Sequence, residues 1–305
     1  MSFSVKILGS SSAAPVFNRH HSAQWLTLGE RRFLIDCGEG TQTRLQKMNC
    51  KAGKISRIFI SHLHGDHFFG LIGLISSMHL FRQVGELHIY GPKGLDEILK
   101  MQLKYSETLL GFDLRFHPTN PDASEVLFED SKITVSSFPL QHRIPCTGFV
   151  FKEKPKPRRL IKDLLPRNIT LQEIALLKNG QNVMKENGEI RLKNDRLTLP
   201  PSKSHSYAYC SDTKFDPSIV EHIEGVEMLY HEATFTKEFE DRAKQTFHST
   251  AEQAGKIAQM SGVQKLLIGH FSARNKHLKP LLDEARRVFP ETYLAVEGER
   301  FVLEE

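Results

Sequence analysis

The sequence predicts a mixed α/β protein with many strands. Eight short apolar runs rich in β-branched and aromatic residues have the length and pattern of strands; they cover residues 5–8, 32–35, 58–60, 87–90, 133–138, 147–151, 207–210 and 265–268. Four segments with helical spacing of apolar residues interrupt them, at residues 68–81, 95–105, 251–260 and 279–288. A chain of 305 residues with 39% hydrophobic composition can bury a sizeable core, so we expect one large globular domain over residues 1–305.

Composition and segment lengths argue against a membrane or secreted protein. No uninterrupted apolar stretch approaches the roughly 18 residues that a membrane-spanning helix requires. Residues 1–8 alternate like a strand and form no charged leader before a long apolar run, so no secretion signal is expected. Cys37, Cys50, Cys146 and Cys210 are far apart and form no Cys-x-x-Cys pair, which disfavours a disulfide scaffold. We therefore expect a soluble, cytoplasmic protein with no membrane partner.

Residues 152–204 break the alternation of strands and helices and predict an inserted, flexible arm. The segment is rich in proline and contains one short helix-like run, residues 171–177. Residues 152–167 contain two acidic and seven basic residues, a surplus that equals the formal net charge of +5; the basic ones are Lys152, Lys154, Lys156, Arg158, Arg159, Lys162 and Arg167. A plain surface loop is the alternative, but loops of this length are usually functional or disordered.

The strongest functional signal is a segment rich in histidine and aspartate between a predicted strand and a predicted helix. In extended backbone alternate side chains point the same way, so His62 and His64 can converge on one metal while Asp66 and His67 turn toward a second position. Imidazole nitrogen and carboxylate oxygen suit zinc, or manganese where oxygen donors and water predominate. A solvated loop with incidental histidines is the alternative, but these residue types rarely meet at these offsets by chance.

Four ligands on one loop cannot complete two metal sites, so further donors are expected at the ends of other strands. Three candidates each follow a predicted strand: His142, Asp212 and His270. Taken singly, each would more often be a structural or surface residue. Their shared position past a strand end favours a site, because loops on a rigid scaffold are where sites are usually built.

The motif His62-x-His64-x-Asp66-His67, with His142, Asp212 and His270 behind it, resembles the metallo-β-lactamase superfamily. The residues around these positions resemble the ribonuclease Z family, in its short form, over nearly the whole chain. The matching segments are residues 33–42, 61–70, 211–213, 231–235, 248–251 and 269–274. The resemblance implies a four-layered αβ/βα sandwich with the site at one edge. It also implies two zinc ions per subunit, one held by His62, His64 and His142, the other by Asp66, His67 and His270, with Asp212 bridging them.

For the reaction, the residues and the resemblance together imply hydrolysis of a phosphodiester. Two adjacent divalent ions lower the pKa of a water between them, and Asp66 is expected to accept its remaining proton. His248 precedes an expected helix start at Ser249-Thr250-Ala251-Glu252, where free amides would favour a phosphate, and it could protonate the departing oxygen. Glu232 would orient His248 or shuttle its proton, and Arg274 would hold the phosphate. Without the resemblance, His248 reads as a helix-entry residue and Glu232 as a strand-end carboxylate.

The substrate that the resemblance implies is precursor tRNA. The enzyme would cut after the discriminator nucleotide, leaving a 3′-hydroxyl on the tRNA and a 5′-phosphate on the trailer. The basic arm, through Lys154, Lys156, Arg158 and Arg159, suits an RNA backbone, and in the family such an arm grips tRNA for the partner subunit of a homodimer. No DNA partner is expected. The alternatives are a small-molecule phosphodiesterase or other hydrolase of the superfamily, and a noncatalytic RNA-binding scaffold, which would be expected to have lost ligands.

Overall fold

The computed structural model describes residues 3–82 and 85–304. The chain divides into two compact units. The larger unit extends to Phe128 and also contains Val135–Phe151 and the chain from Ser206 onward, whereas the smaller unit contains Glu129–Thr134 and Lys152–His205. Within the described residues, no helix has the length and apolar character needed to cross a membrane.

Strands and helices follow one another along the whole described chain. The strands are β1 Phe3–Gly9, β2 Ala23–Leu28, β3 Arg31–Ile35, β4 Arg57–Phe59, β5 Glu86–Gly91, β6 Asp113–Pro118, β7 Glu125–Glu129, β8 Ile133–Leu140, β9 Cys146–Glu153, β10 Arg159–Leu160, β11 Val183–Met184, β12 Ile190–Leu192, β13 Thr198–Leu199, β14 Ser206–Cys210, β15 Met228–Glu232, β16 Lys265–Gly269, β17 Thr292–Leu294 and β18 Arg300–Leu303. The α-helices are α1 Thr41–Lys47, α2 Gly65–Phe68, α3 Leu71–Leu80, α4 Leu95–Tyr105, α5 Leu171–Lys178, α6 Asn194–Leu197, α7 Val220–Ile223, α8 Glu240–Thr246, α9 Ala251–Met260 and α10 Lys279–Val288.

Two seven-stranded sheets form the larger unit. One has the order β18-β1-β2-β3-β4-β5-β6 and the other β17-β16-β15-β14-β9-β8-β7. Strands β3 to β6 run parallel in the first sheet, and β14 to β17 run parallel in the second. Since parallel strands end at the same edge of a sheet, the loops that follow them are collected at that edge.

The sheets pack face to face through aromatic side chains, and helices cover their outer faces. Phe59 of the first sheet lies 5.5 Å from Phe149 and 5.2 Å from Phe151 of the second, measured between ring centroids. Leu74 of α3 packs in the core outside the first sheet, and Ile257 of α9 in the core outside the second. The layers are therefore helix, sheet, sheet and helix, which confirms the predicted αβ/βα sandwich.

The smaller unit contains the predicted arm and has secondary structure of its own. Strand β10, which precedes α5, pairs antiparallel with β13, and β11 and β12 form a hairpin that follows α5. Helix α5 starts with a capping box, because Thr170 accepts a hydrogen bond from the backbone of Glu173 while the Glu173 carboxylate accepts one from the backbone of Thr170. The helix-like run at 171–177 is thus confirmed as a helix.

The helix predicted over residues 68–81 is wrong in one respect, because it is two helices. Helix α2 ends at Phe68 and α3 begins at Leu71. Between them the Gly70 amide donates to the carbonyl of Cys37 at 2.9 Å. A Cβ at Gly70 would lie 2.1 Å from the carbonyl oxygen of Gly38, so only glycine allows this close approach. The break holds the histidine-rich loop against the segment that follows β3.

Candidate metal centre

Seven side chains converge at the edge where parallel strands of both sheets end. The segment after β4 carries His62, His64, Asp66 and His67, with the last two in α2. The other three each follow a strand: His142 after β8, Asp212 after β14 and His270 after β16. All seven residues predicted as ligands are therefore brought together, from four separate chain segments.

The first group of donors contains three histidines and one aspartate. His64 Nδ1 lies 3.1 Å from His62 Nε2 and 3.1 Å from His142 Nε2. Asp212 Oδ2 lies 3.6 Å from His62 Nε2 and 3.8 Å from His142 Nε2. These four ligand atoms all lie within 4.8 Å of one another.

The second group uses the other oxygen of the same aspartate. His67 Nε2 and His270 Nε2 are 3.3 Å apart, and they lie 3.4 and 3.3 Å from Asp66 Oδ2. Asp212 Oδ1 lies 3.3 Å from His67 Nε2 and 3.1 Å from His270 Nε2, yet it accepts no hydrogen bond among the described residues. Each oxygen of Asp212 therefore faces one group of donors, which is the arrangement of a shared ligand.

The outer ring nitrogens of two histidines fix the protonation of the inner ones. His67 Nδ1 lies 2.7 Å from the carboxylate of Asp36, and His142 Nδ1 lies 2.9 Å from the carbonyl of Phe247. Both partners can only accept, so each ring donates outward and in its neutral form presents a lone pair inward at Nε2. Inward lone pairs and carboxylate oxygens repel one another unless a cation lies between them. The donor set therefore fits divalent metal ions, and a divalent metal is what the fold implies.

The charges in the group are strongly interdependent. Burial alone would raise the pKa of Asp212, but the neighbouring His270, His67 and His62 hold it well below its usual range. Burial alone would lower the pKa of His67, but the charges of Asp212, Asp66 and Asp36 raise it well above its usual range. Burial alone would also raise the pKa of Asp66, but His67 and His270 lower it, so both aspartates at the cluster are ionised, as metal ligands must be.

Two further residues contact the outer ring nitrogens of ligand histidines. The sequence analysis assigned neither of them a role. Asp36 is buried and accepts hydrogen bonds from the Ser61 amide at 2.8 Å and the Tyr209 hydroxyl at 2.6 Å, besides its contact with His67. Thr234 Oγ1 contacts His270 Nδ1 at 2.8 Å. Asp36 lies in a segment that resembles the family, but only the fold shows that it contacts the ligand residue His67.

His248 and Glu232 form a pair beside the cluster. Glu232 is fully buried, and its carboxylate accepts from the amides of Thr213 and Thr234 while Oε1 lies 2.8 Å from His248 Nδ1. Burial alone would lower the pKa of His248, but the charge and hydrogen bond of Glu232, together with the charges of Asp212 and Asp66, raise it to about 9. The contact through Nδ1 leaves the Nε2 of His248 to face a ligand.

The cap of α9 differs from its prediction, although the helix begins at Ala251 as expected, and the expected phosphate site differs with it. The N-cap is Thr250 with Gln253 as its capping-box partner, one residue later than the predicted Ser249 and Glu252. The backbone amides of the first turn are all bonded: Ala251 to the Phe235 carbonyl, Glu252 to the Glu284 carboxylate and Gln253 to the Thr250 hydroxyl. The expectation that free amides at this helix start bind phosphate is therefore wrong.

Arginines supply the positive charge instead. A cleft of about 670 Å³ contains His64, Asp66, Asp212, His248 and His270 in its lining, together with Arg143, Arg242 and Arg274. All three arginines are exposed, and none forms an ion pair within the part of the chain that the structure describes. Arg274 therefore lines the cleft, as its predicted contact with a phosphate requires. The other two arginines were missed, although Arg143 directly follows the predicted ligand His142. His21, which was also missed, lines the same cleft.

The four basic residues predicted for the arm fall into two classes. Lys154 forms an ion pair with Glu129 at 2.6 Å, and Lys156 forms one with Glu153 at 2.8 Å. Arg158 and Arg159 instead donate through Nε to neutral acceptors, the Thr198 hydroxyl and the Pro200 carbonyl. Positive charge that no carboxylate offsets is thus concentrated on the arginines of this group.

Comparison with known proteins identifies the family. A family model described as "Anti-Pycsar protein Apyc1" matches residues 3–156. A protein of Cytophaga hutchinsonii named "Ribonuclease Z" is 48% identical over 301 residues, which is 99% of this chain and 96% of that protein. The crystal structure of the short form of human tRNase Z is 29% identical with a TM-score of 0.71, and the match covers 98% of both chains. The metallo-β-lactamase fold protein YhfI of Bacillus subtilis is 18% identical with a TM-score of 0.70, covering 99% of this chain and 100% of that one.

The full-length matches decide between these names, because the Apyc1 model reaches only the first half of the chain. That half lacks three of the side chains in the cluster and cleft on which the site depends: Asp212, His248 and His270. The relatives named ribonuclease Z cover both halves, and the sandwich is that of metallo-β-lactamase fold proteins. With its two sheets, its shared aspartate and its full-length similarity, the chain belongs to the ribonuclease Z family.

Proposed function

We propose that this protein is a metal-dependent endoribonuclease that removes the 3′ trailer from precursor tRNA. It cuts after the discriminator nucleotide and leaves a 3′-hydroxyl on the tRNA and a 5′-phosphate on the trailer. One observation supports a phosphodiester substrate above all: the cleft at the donor cluster combines His248, which is held by Glu232, with three arginines that have no described carboxylate partner. The full-length relatives named ribonuclease Z support RNA as the polymer.

The donor set is proposed to hold two zinc ions, with manganese as the alternative. His62, His64 and His142 would hold one ion, Asp66, His67 and His270 the other, and Asp212 would contact both. Three nitrogens in one group and two in the other favour zinc over magnesium or calcium, which prefer oxygen ligands. When bound, such a pair of ions activates water and offsets the charge that develops on the phosphate.

The remaining chemistry is assigned to this chain's own side chains. Asp66 directs Oδ2 at His67 and His270, and no hydrogen bond in the described structure engages its Oδ1, which is free to accept a proton from the attacking water. His248, protonated and oriented by Glu232, donates a proton from Nε2 to the departing 3′ oxygen. Glu232 acts through His248 and does not line the cleft, so its role is positioning.

Arg274 is proposed to hold the scissile phosphate together with the two arginines that the sequence did not single out. A guanidinium can donate two parallel hydrogen bonds to phosphate oxygens, and a charge that no carboxylate offsets is available for this contact. Arg143 and Arg242 extend the positive rim of the same cleft. Together they would place the phosphodiester of the RNA beside the donor cluster.

The smaller unit is proposed to be the tRNA-binding arm, and the protein a homodimer. Lys154, Lys156, Arg158 and Arg159 would contact the RNA backbone. An apolar surface supports self-association: it consists of Leu80, Phe81, Met101, Tyr105 and Leu109, each of which is exposed. The segment after α4, which carries Leu109, is held to α3 by a hydrogen bond from the Gly111 amide to His79 Nδ1 at 3.0 Å. Apolar exposure of this kind marks association surfaces.

The cytoplasm is proposed as the compartment. All four cysteines are buried free thiols, as expected where disulfides do not form. No DNA partner is proposed.

The test is cleavage of a 3′-extended tRNA transcript in the presence of zinc or manganese. We expect one cut after the discriminator nucleotide, abolished by His64→Ala. Replacement of residues 152–204 by a short linker should weaken cleavage of the tRNA while a small phosphodiester is still hydrolysed. If the intact, metal-loaded protein hydrolyses a small ester and leaves the RNA uncut, the protein is a small-molecule hydrolase and the proposal fails.

A further inference from the structure

A second cavity adjoins the donor cluster at His64, and His248 is not part of its lining. Its volume is about 760 Å³, and His64 is the one residue that its lining shares with the catalytic cleft among the residues described. The loops that follow β4, β5 and β6 form most of its wall. Because those strands are parallel, their loops leave the sheet at the edge that carries the cluster. The cavity is therefore continuous with the site but built from different residues.

Much of the cavity wall is apolar. Its lining includes four proline rings and two aliphatic side chains: Pro92, Pro118, Pro121, Pro145, Leu63 and Ile144. Such surfaces pack against the face of a planar ring, whatever its pattern of donors and acceptors. The volume lies within the range of roughly 300–1,000 Å³ that holds ligands of nucleotide size.

A buried hydroxyl in the lining has no partner. Thr147 is 1% exposed, and its Oγ1 makes no hydrogen bond among the described residues. Buried hydroxyls are almost always bonded, since an unpaired one loses its bonds to water without replacement. A ligand that offers Thr147 a donor or acceptor would restore that bond. This unpaired group is independent of the shape of the cavity and also indicates a ligand.

The rim carries groups suited to a sugar and a phosphate. Lys93 and Asn120 are exposed, and Lys93 forms no ion pair within the described chain. Asn120 accepts a hydrogen bond at Oδ1 from the Asp122 amide at 2.9 Å, which leaves its Nδ2 group to donate. The carboxylate of Asp122 also lies on the rim; it repels phosphate but accepts hydrogen bonds from ribose hydroxyls.

We propose that this cavity binds the first nucleotide of the trailer, with its base between the proline rings and its ribose at the rim. The inference rests on the proposed function. His248, the proposed donor to the 3′ oxygen, lies in the other cleft, so the tRNA body that ends in that oxygen belongs on that side. The trailer nucleotide is attached to the same phosphate through its 5′ oxygen. The trailer nucleotide therefore extends away from the cluster on a path separate from that of the tRNA body. The cavity beside His64 is adjacent to the cluster and can receive it.

The test is a comparison of two precursor tRNAs that differ only in the first trailer nucleotide, which is intact in one and abasic in the other. For the wild-type protein we expect kcat/KM to be about 10-fold higher with the intact nucleotide, in line with the usual contribution of a stacked base. Pro121→Trp, which fills the cavity, should bring that ratio close to one, and Thr147→Val should reduce it. Val126→Trp adds the same bulk at an exposed strand position and should keep the wild-type ratio.

Three outcomes would overturn the inference, and they are distinguishable. If the wild type cuts both RNAs at the discriminator equally well, the proposed function stands and the trailer pocket does not. If Pro121→Trp slows both substrates to the same extent and keeps the ratio, or changes the oligomeric state, the cavity has a structural role or lies in an interface. If the wild type cuts neither RNA, the proposed function fails and the inference fails with it.

Discussion

His248 and Glu232 are in contact but are assigned different tasks. A departing ribose 3′ oxygen is a strong base and needs a proton, whereas a nitrophenolate does not. We therefore expect His248→Ala to lower kcat for precursor tRNA by about 10²–10⁴-fold, and to lower hydrolysis of bis(p-nitrophenyl) phosphate by less than about tenfold. Parallel kinetics with the two substrates measure this difference. Equal losses with both would assign His248 to binding or to the fold.

Glu232→Gln tests positioning by a shift in pH dependence. With Glu232 ionised, the pKa of His248 is about 9, so the proton donor is present below that pH and is lost as pH rises through it. Removal of the carboxylate charge lowers the pKa of His248, so the alkaline fall in kcat should move to lower pH. In His248→Ala the alkaline fall in kcat should be absent. If that fall occurred at an unchanged pH in Glu232→Gln, the assignment would be contradicted.

Asp36 offers a prediction about metal affinity. Its carboxylate accepts hydrogen bonds from Ser61 and Tyr209 and lies 2.7 Å from His67 Nδ1. Asp36→Asn would replace one accepting oxygen by an NH₂ group, which would face these donors. We expect the affinity for zinc to fall about 10–100-fold, as is usual when the partner of a ligand histidine is lost. Competition with a chelator measures the affinity. Asp96→Asn, which removes a surface ion pair with Lys100, should keep the wild-type value.

The ligand residues could be predicted from the sequence, but their supports could not. Spacing within one loop identifies four of the ligand residues: His62, His64, Asp66 and His67. Contacts such as that between Thr234 and His270 join residues of different segments, and a threonine carries no signal of its role in one sequence. The seven donors could therefore be proposed before the fold was known, with His142, Asp212 and His270 proposed from their strand-end positions and the resemblance. The groups that orient them could be identified only in the fold.

At the scale of elements, local patterns predicted best where the element is long. Helices α4, α9 and α10 were predicted with the bounds that they have. Strands β2 and β15 were missed, although β15 carries Glu232, because buried polar residues interrupt their apolar runs: Gln24 and Thr27 in β2, His231 and Glu232 in β15. The break between α2 and α3 depends on a close contact of Gly70 with Gly38, which is tertiary and leaves no local trace.

The arm leads to a prediction about salt. A lysine that is paired with a carboxylate must give up that pair to contact a phosphate, whereas an arginine held through Nε alone need not. The double variant Arg158→Ala/Arg159→Ala should therefore reduce the slope of log Kd for precursor tRNA against log salt more than Lys154→Ala/Lys156→Ala does. Each phosphate contact contributes roughly 0.7–0.9 to that slope. Equal reductions would mean that the ion pairs of the lysines do not persist in the complex.

At the scale of the whole molecule, the site is a junction between the two sheets. His62, His64, Asp66 and His67 follow β4 of the first sheet, whereas His142, Asp212 and His270 follow strands of the second. An ion held by both sets ties the edges of the sheets together. It also offsets the repulsion among inward lone pairs and carboxylates, which protonation of a histidine such as His67 offsets only in part when the ion is removed.

Metal removal should therefore destabilise the larger unit. A ligand that binds the folded state at a hundredfold excess over its Kd adds about 2.7 kcal/mol to the free energy of unfolding, which corresponds to several degrees in Tm for a chain of this size. We expect chelation to lower the apparent Tm of the wild type by that amount and zinc to restore it. His64→Ala should show a smaller zinc-dependent shift, since one group of donors is incomplete, while the Asp96→Asn control should match the wild type. A ligand that binds only the folded state must raise the free energy of unfolding. An identical Tm with and without metal would therefore mean that no ion bound between the sheet edges stabilises the larger unit, which would contradict the prediction.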